Sequence, residues 1–191
     1  MIIKPHAEGI PQSVPLPLYE SHNIADVVLV DGTECSLFLG LSQDHVQKLQ
    51  ERSLDTNDTA VQELTSDRKR FGEGSYEAWY KKGRVPFALV EKETQNLAAL
   101  VWFGKEGLHD EEGDWHTIAY RSYEPYRGKK MMKPLTQHVF DIYKTYYPSA
   151  HFWAGIDAKN PASAGLALAL GFEESATHSN KGDGKLVMIK K

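Results

Sequence analysis

Apolar positions along the chain fall into runs of different period. Residues 85–90 and 97–103 are apolar at nearly every position, the pattern of central strands covered on both faces. Residues 27–30 and 35–39 flank Asp31-Gly32, a tight-turn pair, and predict a hairpin. Further strands are expected at 115–123, 151–157, 173–178 and 185–190. Three-and-four spacing predicts a helix capped by Ser42 and running through Arg52, with Val46 and Leu49 inward. A second starts near Asp58, with Val61, Leu64 and Phe71 on one face, until Gly72-Glu73-Gly74 breaks it. Ser75 then opens a short aromatic helix, residues 76–80, ended by Gly83. The longest helical pattern carries Met132, Leu135, Val139, Ile142, Tyr143 and Tyr146 on one face, with Pro134 in its first turn and Pro148 at its end. Asn160-Pro161 reads as an N-cap followed by proline at the first helical position, and Gly171 as the glycine closing that helix.

Residues 1–24 hold Pro5, Gly9, Pro11, Pro15 and Pro17, so regular structure is not expected there. The reading is an extended arm, 1–24, followed by one domain, 25–191. The element order predicts an α+β, three-layer architecture: a mixed, mostly antiparallel central sheet of about seven strands with helices on both faces.

Composition narrows the function classes. The chain has 191 residues, 41% of them hydrophobic and 25% charged, an ordinary balance for a globular protein with a sizeable core. A net charge of −4 argues against bulk attraction to nucleic acid. No apolar run approaches the ~20 residues of a membrane span, and the opening Met-Ile-Ile-Lys-Pro-His lacks the layout of a signal peptide. Cys35 is the single cysteine, so no intrachain disulfide forms, and the eight histidines show no zinc-like pairing. The expectation is a cytoplasmic protein with no metal and no nucleic-acid or membrane partner. A homodimer is compatible with the sequence.

One stretch stands apart chemically. The strand at 115–123 runs into Glu124-Pro-Tyr-Arg-Gly-Lys-Lys130 and then into the long helix. That order aims the free N–H groups and the positive dipole end of the helix at one spot, where Arg127, Lys129 and Lys130 add charge. An anion such as a phosphate or pyrophosphate fits there, although a solvated basic turn would read the same.

Tyr126-Arg-Gly-Lys, the amphipathic helix, the strand after it, and then Asn160, Ser163, Leu166, Gly171 and Phe172 resemble the acyl-CoA-binding core of the GNAT superfamily of N-acetyltransferases. In that family the turn usually reads Arg or Gln, two residues, Gly, one residue, then Gly or Ala. Arg127 and Gly128 match its common Arg-Gly opening, whereas Lys130 and Met132 occupy the two small-residue positions. The resemblance implies acetyl-CoA as co-substrate, held at its pyrophosphate by Arg127, Gly128, Lys129, Lys130, Met131 and Met132 and at its pantetheine arm by the backbone of Tyr120, Arg121 and Ser122. Asn160 and Ser163 join this set.

The resemblance also implies transfer of the acetyl group to a primary amine, on a small molecule, a peptide or a protein. His116 falls where histone-type family members carry a glutamate base, and a histidine could deprotonate an amine near neutral pH; a surface histidine at a strand start is the plain alternative. Glu124, Asp157 and His151 are lesser candidates for the base, with Asp157 also placed for acceptor contact. Tyr76, Trp79 and Tyr80 lie where the family shapes its acceptor pocket, or else pack under the sheet. Many family members carry a proton-donating tyrosine where this chain has Ala167. That departure, with the altered turn, leaves a non-catalytic CoA-binding or interaction protein as the alternative.

Overall fold

The computed structural model describes residues 1–6, 10–72 and 74–191. Gly9 of the expected arm and Glu73 of the expected helix break lie outside the described residues. Among these, nine strands form one sheet in the order β1-β2-β3-β4-β5-β6-β7-β9-β8. The strands are β1 Ile2–Pro5, β2 Ser21–Val28, β3 Glu34–Gly40, β4 Arg84–Glu91, β5 Leu97–Lys105, β6 Trp115–Ser122, β7 His151–Asp157, β8 Glu173–Glu174 and β9 Lys185–Lys190. Every adjacent pair is antiparallel except β6 and β7. The architecture is the expected mixed α+β sheet, with nine strands instead of about seven.

The strand that the pattern did not predict is β1. Residues of the expected arm form β1, which pairs with β2 through Ile2↔Val28 to Pro5↔Ala25, and β2 begins at Ser21. Pro5 is tolerated because β1 is an edge strand. The region after Phe172, in turn, contributes only the two-residue β8.

Among the described residues six α-helices cover the sheet: α1 Gln43–Leu54, α2 Thr59–Leu64, α3 Asp67–Phe71, α4 Tyr76–Tyr80, α5 Met132–Tyr146 and α6 Pro161–Ala169. None is long and apolar enough to cross a membrane. Ser42 caps α1 and accepts from the His45 N–H, Asp58 caps α2 through Val61, and Asn160 caps α6 through Ser163. The expected second helix is two, because the chain turns at Thr65 and Ser66 between α2 and α3.

The central strands explain the two cores. β4 and β5 are buried at nearly every position. On one face Phe87, Phe103, Ile118 and Phe152 pack under α5 through Leu135, Val139, Phe140 and Tyr143. On the other, Ala88, Leu100 and Trp102 pack under α1, α3 and α4 through Leu49, Phe71, Tyr76 and Trp79. Alternation along β6 therefore sends Ile118 and Tyr120 to the α5 face and Ala119 and Tyr123 to the other.

Candidate active site

The site is made by two strands that part. β6 pairs with β5 over its length, from Ala99↔Ser122 to Lys105↔His116. Its other edge pairs with β7 only at Trp115, His116 and Thr117. Tyr123 N–H reaches Ala98 O on β5 at 3.0 Å, so alternation turns the N–H and C=O of Ser122 and Tyr120 toward the open edge. Both carbonyls are occupied. Arg121 Nη1 donates to Tyr120 O at 2.7 Å, and Arg127 Nη2 donates to Ser122 O at 3.0 Å. The two N–H groups remain as donors facing the gap, since the register with β7 gives them no partner.

A cleft of about 690 Å³ opens there, lined by Tyr120, Ser122, the turn from Tyr126 to Met131, the start of α5, and Asn160 and Ser163 of α6. Gly128 has φ +81°, Lys130 has φ +56°, and Met131 is right-handed at φ −83°. A left-handed residue followed by a right-handed one turns successive N–H groups to the same side and makes an anion-binding concavity. The N–H groups of Gly128, Lys130, Met131, Met132 and Lys133 have no hydrogen-bonded acceptor among the described residues. They lie at the N-terminus of a 15-residue helix, whose dipole adds to their attraction for an anion. Lys130, where the family pattern expects a small residue, holds a left-handed backbone at a cost of about 1 kcal/mol.

The basic side chains of the turn are otherwise engaged, which corrects the simplest reading of that motif. Arg127 Nη2 donates to both carboxylate oxygens of the buried Asp58, at 2.8 and 3.0 Å, and Nη1 donates to Glu124 at 3.1 Å. Lys129 Nζ lies 2.6 Å from Asp31, and that contact holds the Asp31 carboxyl below its ordinary pKa. Arg127 thus ties the turn to the cap of α2, and Lys129 ties it to the β2–β3 turn. Lys130 is exposed and is the basic side chain of the three with no carboxylate partner among the described residues.

Three other expectations are corrected. His116 is 0% exposed and lies under α5, packed against Tyr147 and Phe152, with Nδ1 2.7 Å from the Tyr143 hydroxyl. Burial pushes its pKa below the ordinary histidine value, with Asp114 opposing from 3.4 Å. It lines neither this cleft nor the second. The strand face it shares with Ile118 is the α5 core, which strand spacing alone could not tell from an open face. Glu124 points to solvent, 60% exposed and paired with Arg127. Asp157 accepts from the Lys159 N–H at 2.8 Å and holds the turn after β7. Neither lines a cleft.

The aromatic helix divides. Tyr76 and Tyr80 are buried among Tyr19, Trp79 and each other, and Tyr80 donates to Leu16 O at 2.8 Å. Trp79 also packs in this core, but one side of it lines a second cleft of about 510 Å³ on the α3/α4 face. Thr117, Ile118 and Ala119 of β6 floor that cleft, so it meets the same strand one step before the first. Its other walls, Trp102, Trp153, Arg70, Arg84 and Glu106, were not singled out in the sequence. The alternation of β5 offered one signal, because it puts Trp102 and Gly104 on one face and Gly104 pairs with Arg84.

At α6, Ala167 is buried in the core. A different hydroxyl approaches this helix: Tyr120, from β6, donates to Ser163 O at 2.7 Å and accepts from Ser163 Oγ at 3.3 Å.

Solved structures with the same fold include acetyltransferases. The GNAT domain of PAT from S. lividans superposes with a TM-score of 0.61 at 16% identity, over 87% of this chain and 95% of that one. An acetyltransferase from Agrobacterium tumefaciens str. C58 also gives 0.61 at 16% identity, over 97% and 99%. This chain has the GNAT acetyltransferase fold. The ribosomal-protein-S5-alanine acetyltransferase of Vibrio fischeri matches at 0.59 and 15% identity, over 81% and 92%. No protein-family profile and no curated protein matches the chain. Within this GNAT-fold chain, the parting of β6 from β7 and the turn before α5 are the features on which function has to be argued.

Proposed function

We propose that this protein is an N-acyltransferase that moves an acetyl group from acetyl-CoA to a primary amine. The observation that carries the proposal is the pairing, in one cleft, of two sets of unpartnered backbone donors. The N–H groups of Gly128 and of Lys130 to Lys133 suit a pyrophosphate, and those of Tyr120 and Ser122, at the open strand edge, suit a pantetheine amide and a developing oxyanion. Acetyl-CoA brings its own activated thioester, so no protein nucleophile is required.

The roles then follow from what lines the clefts. Tyr120 is the phenol that donates a proton to the departing thiolate, taking the place of the absent tyrosine at Ala167. Burial holds its pKa above the ordinary phenol value, so it is protonated at neutral pH, and Ser163 Oγ stands ready to return a proton to it. No carboxylate or imidazole is among the residues lining the first cleft, and Glu106 is the carboxylate lining the second. Glu106 is held by Arg84 beside Trp115, away from the Tyr120 and Ser122 N–H groups, so the amine gives its proton to water.

A non-catalytic CoA-binding protein is the second reading, favoured by the lack of a base in the first cleft. Release of free CoA thiol from acetyl-CoA in the presence of a panel of amines separates the two. The proposal expects amine-dependent release that Tyr120→Phe slows. Tight CoA binding by calorimetry with no release for any amine would leave binding alone.

A further inference from the structure

The second cleft carries more positive charge than its own structure uses. Among the described residues, Lys69, Arg70, Lys82 and Arg84 line it against one carboxylate, Glu106. The arginines are crowded. Burial, and then the positive charges of Arg121 and Arg84, hold the Arg70 guanidinium below its ordinary pKa. One carboxylate serves two of the three: Asp67 takes Arg121 Nε and Nη2 at 2.7 and 2.9 Å and leaves Arg70 Nη1 at 3.4 Å. Arg84 Nη2 donates to Glu106 at 2.6 Å, and its Nε and Nη1 have no partner among the described residues. Its guanidinium lies where a side chain at residue 104 would be; a Cβ there would fall 2.7 Å from Nη1, so Gly104 makes its place. Unbalanced guanidinium charge and unpaired buried donors are costly, and a bound oxyanion relieves both. The apolar walls are tryptophans: Trp79, Trp102 and Trp153, with Arg70 and Arg121 lying 5.9 and 5.0 Å from the Trp102 ring.

We infer that this cleft takes the acyl acceptor and that the acceptor is a small amine carrying an oxyanion, a carboxylate or a phosphate, on a body that packs against tryptophan. The inference rests on the acyltransferase reading. The oxyanion meets Arg70, Lys82 and Arg84, and the amine extends past Ala119 toward the N–H groups of Tyr120 and Ser122. In the transfer, the amine lone pair forms the new C–N bond to the thioester carbonyl carbon and the C–S bond breaks. The sulfur leaves with its electron pair and takes a proton from Tyr120, while the amine nitrogen gives one proton to water. Basic peptides and polyamines are disfavoured by the same charges.

Two measurements test this separately from the parent reading. Calorimetry in the presence of CoA compares one aromatic amine in neutral, carboxylate-bearing and phosphate-bearing forms, together with spermidine and a lysine-rich peptide. The carboxylate or phosphate form is expected to bind at least about tenfold more tightly than the neutral form, and which of the two wins identifies the oxyanion. Lys82→Glu, at the exposed rim, and Arg70→Glu should each erase that preference while CoA affinity stays unchanged; Lys82→Glu keeps the test valid if the Arg70 variant does not fold. Equal binding of neutral and anionic forms, or stronger binding of spermidine or the peptide, overturns the inference. Turnover is read in parallel. Anionic amines that bind here but are never acetylated would leave an oxyanion-binding cleft, defeat the acyltransferase reading and with it overturn the assignment of the cleft to an acyl acceptor.

Discussion

The two clefts lie along consecutive residues of β6 and treat positive charge in opposite ways. In the first, Arg127 and Lys129 are bound to Asp58, Glu124 and Asp31, and the groups left free among the described residues are backbone N–H donors and the exposed Lys130 and Lys133 at the rim. In the second, side chains carry the charge and the carboxylates are too few for the arginines around them. A backbone cradle is rigid and indifferent to pH, which suits an invariant phosphate. Its neighbouring arginine and lysine act as ties that hold the turn. Side-chain charge can be changed one residue at a time, which suits a specificity site. The lesson is that a basic motif in sequence marks where a turn is held, and the ligand's charge is met by whatever remains unpaired.

The largest effect that would break this contrast is at its shared foundation. Asp67 is fully buried and is the carboxylate between Arg121 and Arg70. Asp67→Ala should lower stability by about 3–5 kcal/mol, the cost of leaving a buried charge unpaired, read by chemical denaturation. A loss below about 1 kcal/mol would mean that the arginines do not depend on it, and the excess charge ascribed to the second cleft would lose its basis.

Next is Tyr120→Phe, which removes a hydroxyl from the first cleft and leaves its N–H donors in place. The expected result is a fall in kcat of about 10²-fold with CoA affinity unchanged, by steady-state kinetics beside calorimetry. If kcat is unaltered, water supplies the leaving-group proton.

Lys130→Gly sharpens the claim that backbone, not lysine charge, makes the first cleft. Glycine adopts the left-handed conformation without strain, so stability should rise by up to about 1 kcal/mol. CoA affinity should fall by no more than about fivefold, because an exposed ion pair is worth up to about 1 kcal/mol. A hundredfold loss would make the lysine side chain the main phosphate ligand.

The smallest effect on activity is expected from His116→Gln, which touches neither cleft: kcat within about twofold of the parent. Its consequence is in stability. Burial sets the folded-state pKa of His116 below the unfolded value of about 6.5, so the unfolded chain binds more protons between the two. Stability is therefore complete above pH ~6.5 and declines as pH falls below it. The variant should show a shallower decline in thermal melts, with His45 and His138, also depressed by burial, supplying what remains. A kcat loss near 10²-fold would return His116 to the candidates for the base.

Local signals carried most of the architecture. The periods of two and three-to-four placed β4 to β7, β9, α1, α5 and α6 close to where they fold, because each such pattern states which face is buried, and α1 and α6 also carry their own end signals: Ser42, Asn160 with Pro161, Gly171. The strand–turn–helix order located the anion cradle for the same reason, since N–H groups at a helix start are unpaired whatever surrounds them. What tertiary structure alone decided is which side chains find partners across long sequence gaps. Asp58 with Arg127, Asp31 with Lys129 and Asp67 with Arg121 are each brought together only when the sheet is assembled. The same assembly buried His116 beneath α5 and set Arg70, Arg84 and Arg121 around Trp102. Charge pairing and burial depend on distances through space, and a one-dimensional pattern holds no distance beyond a single helix or strand.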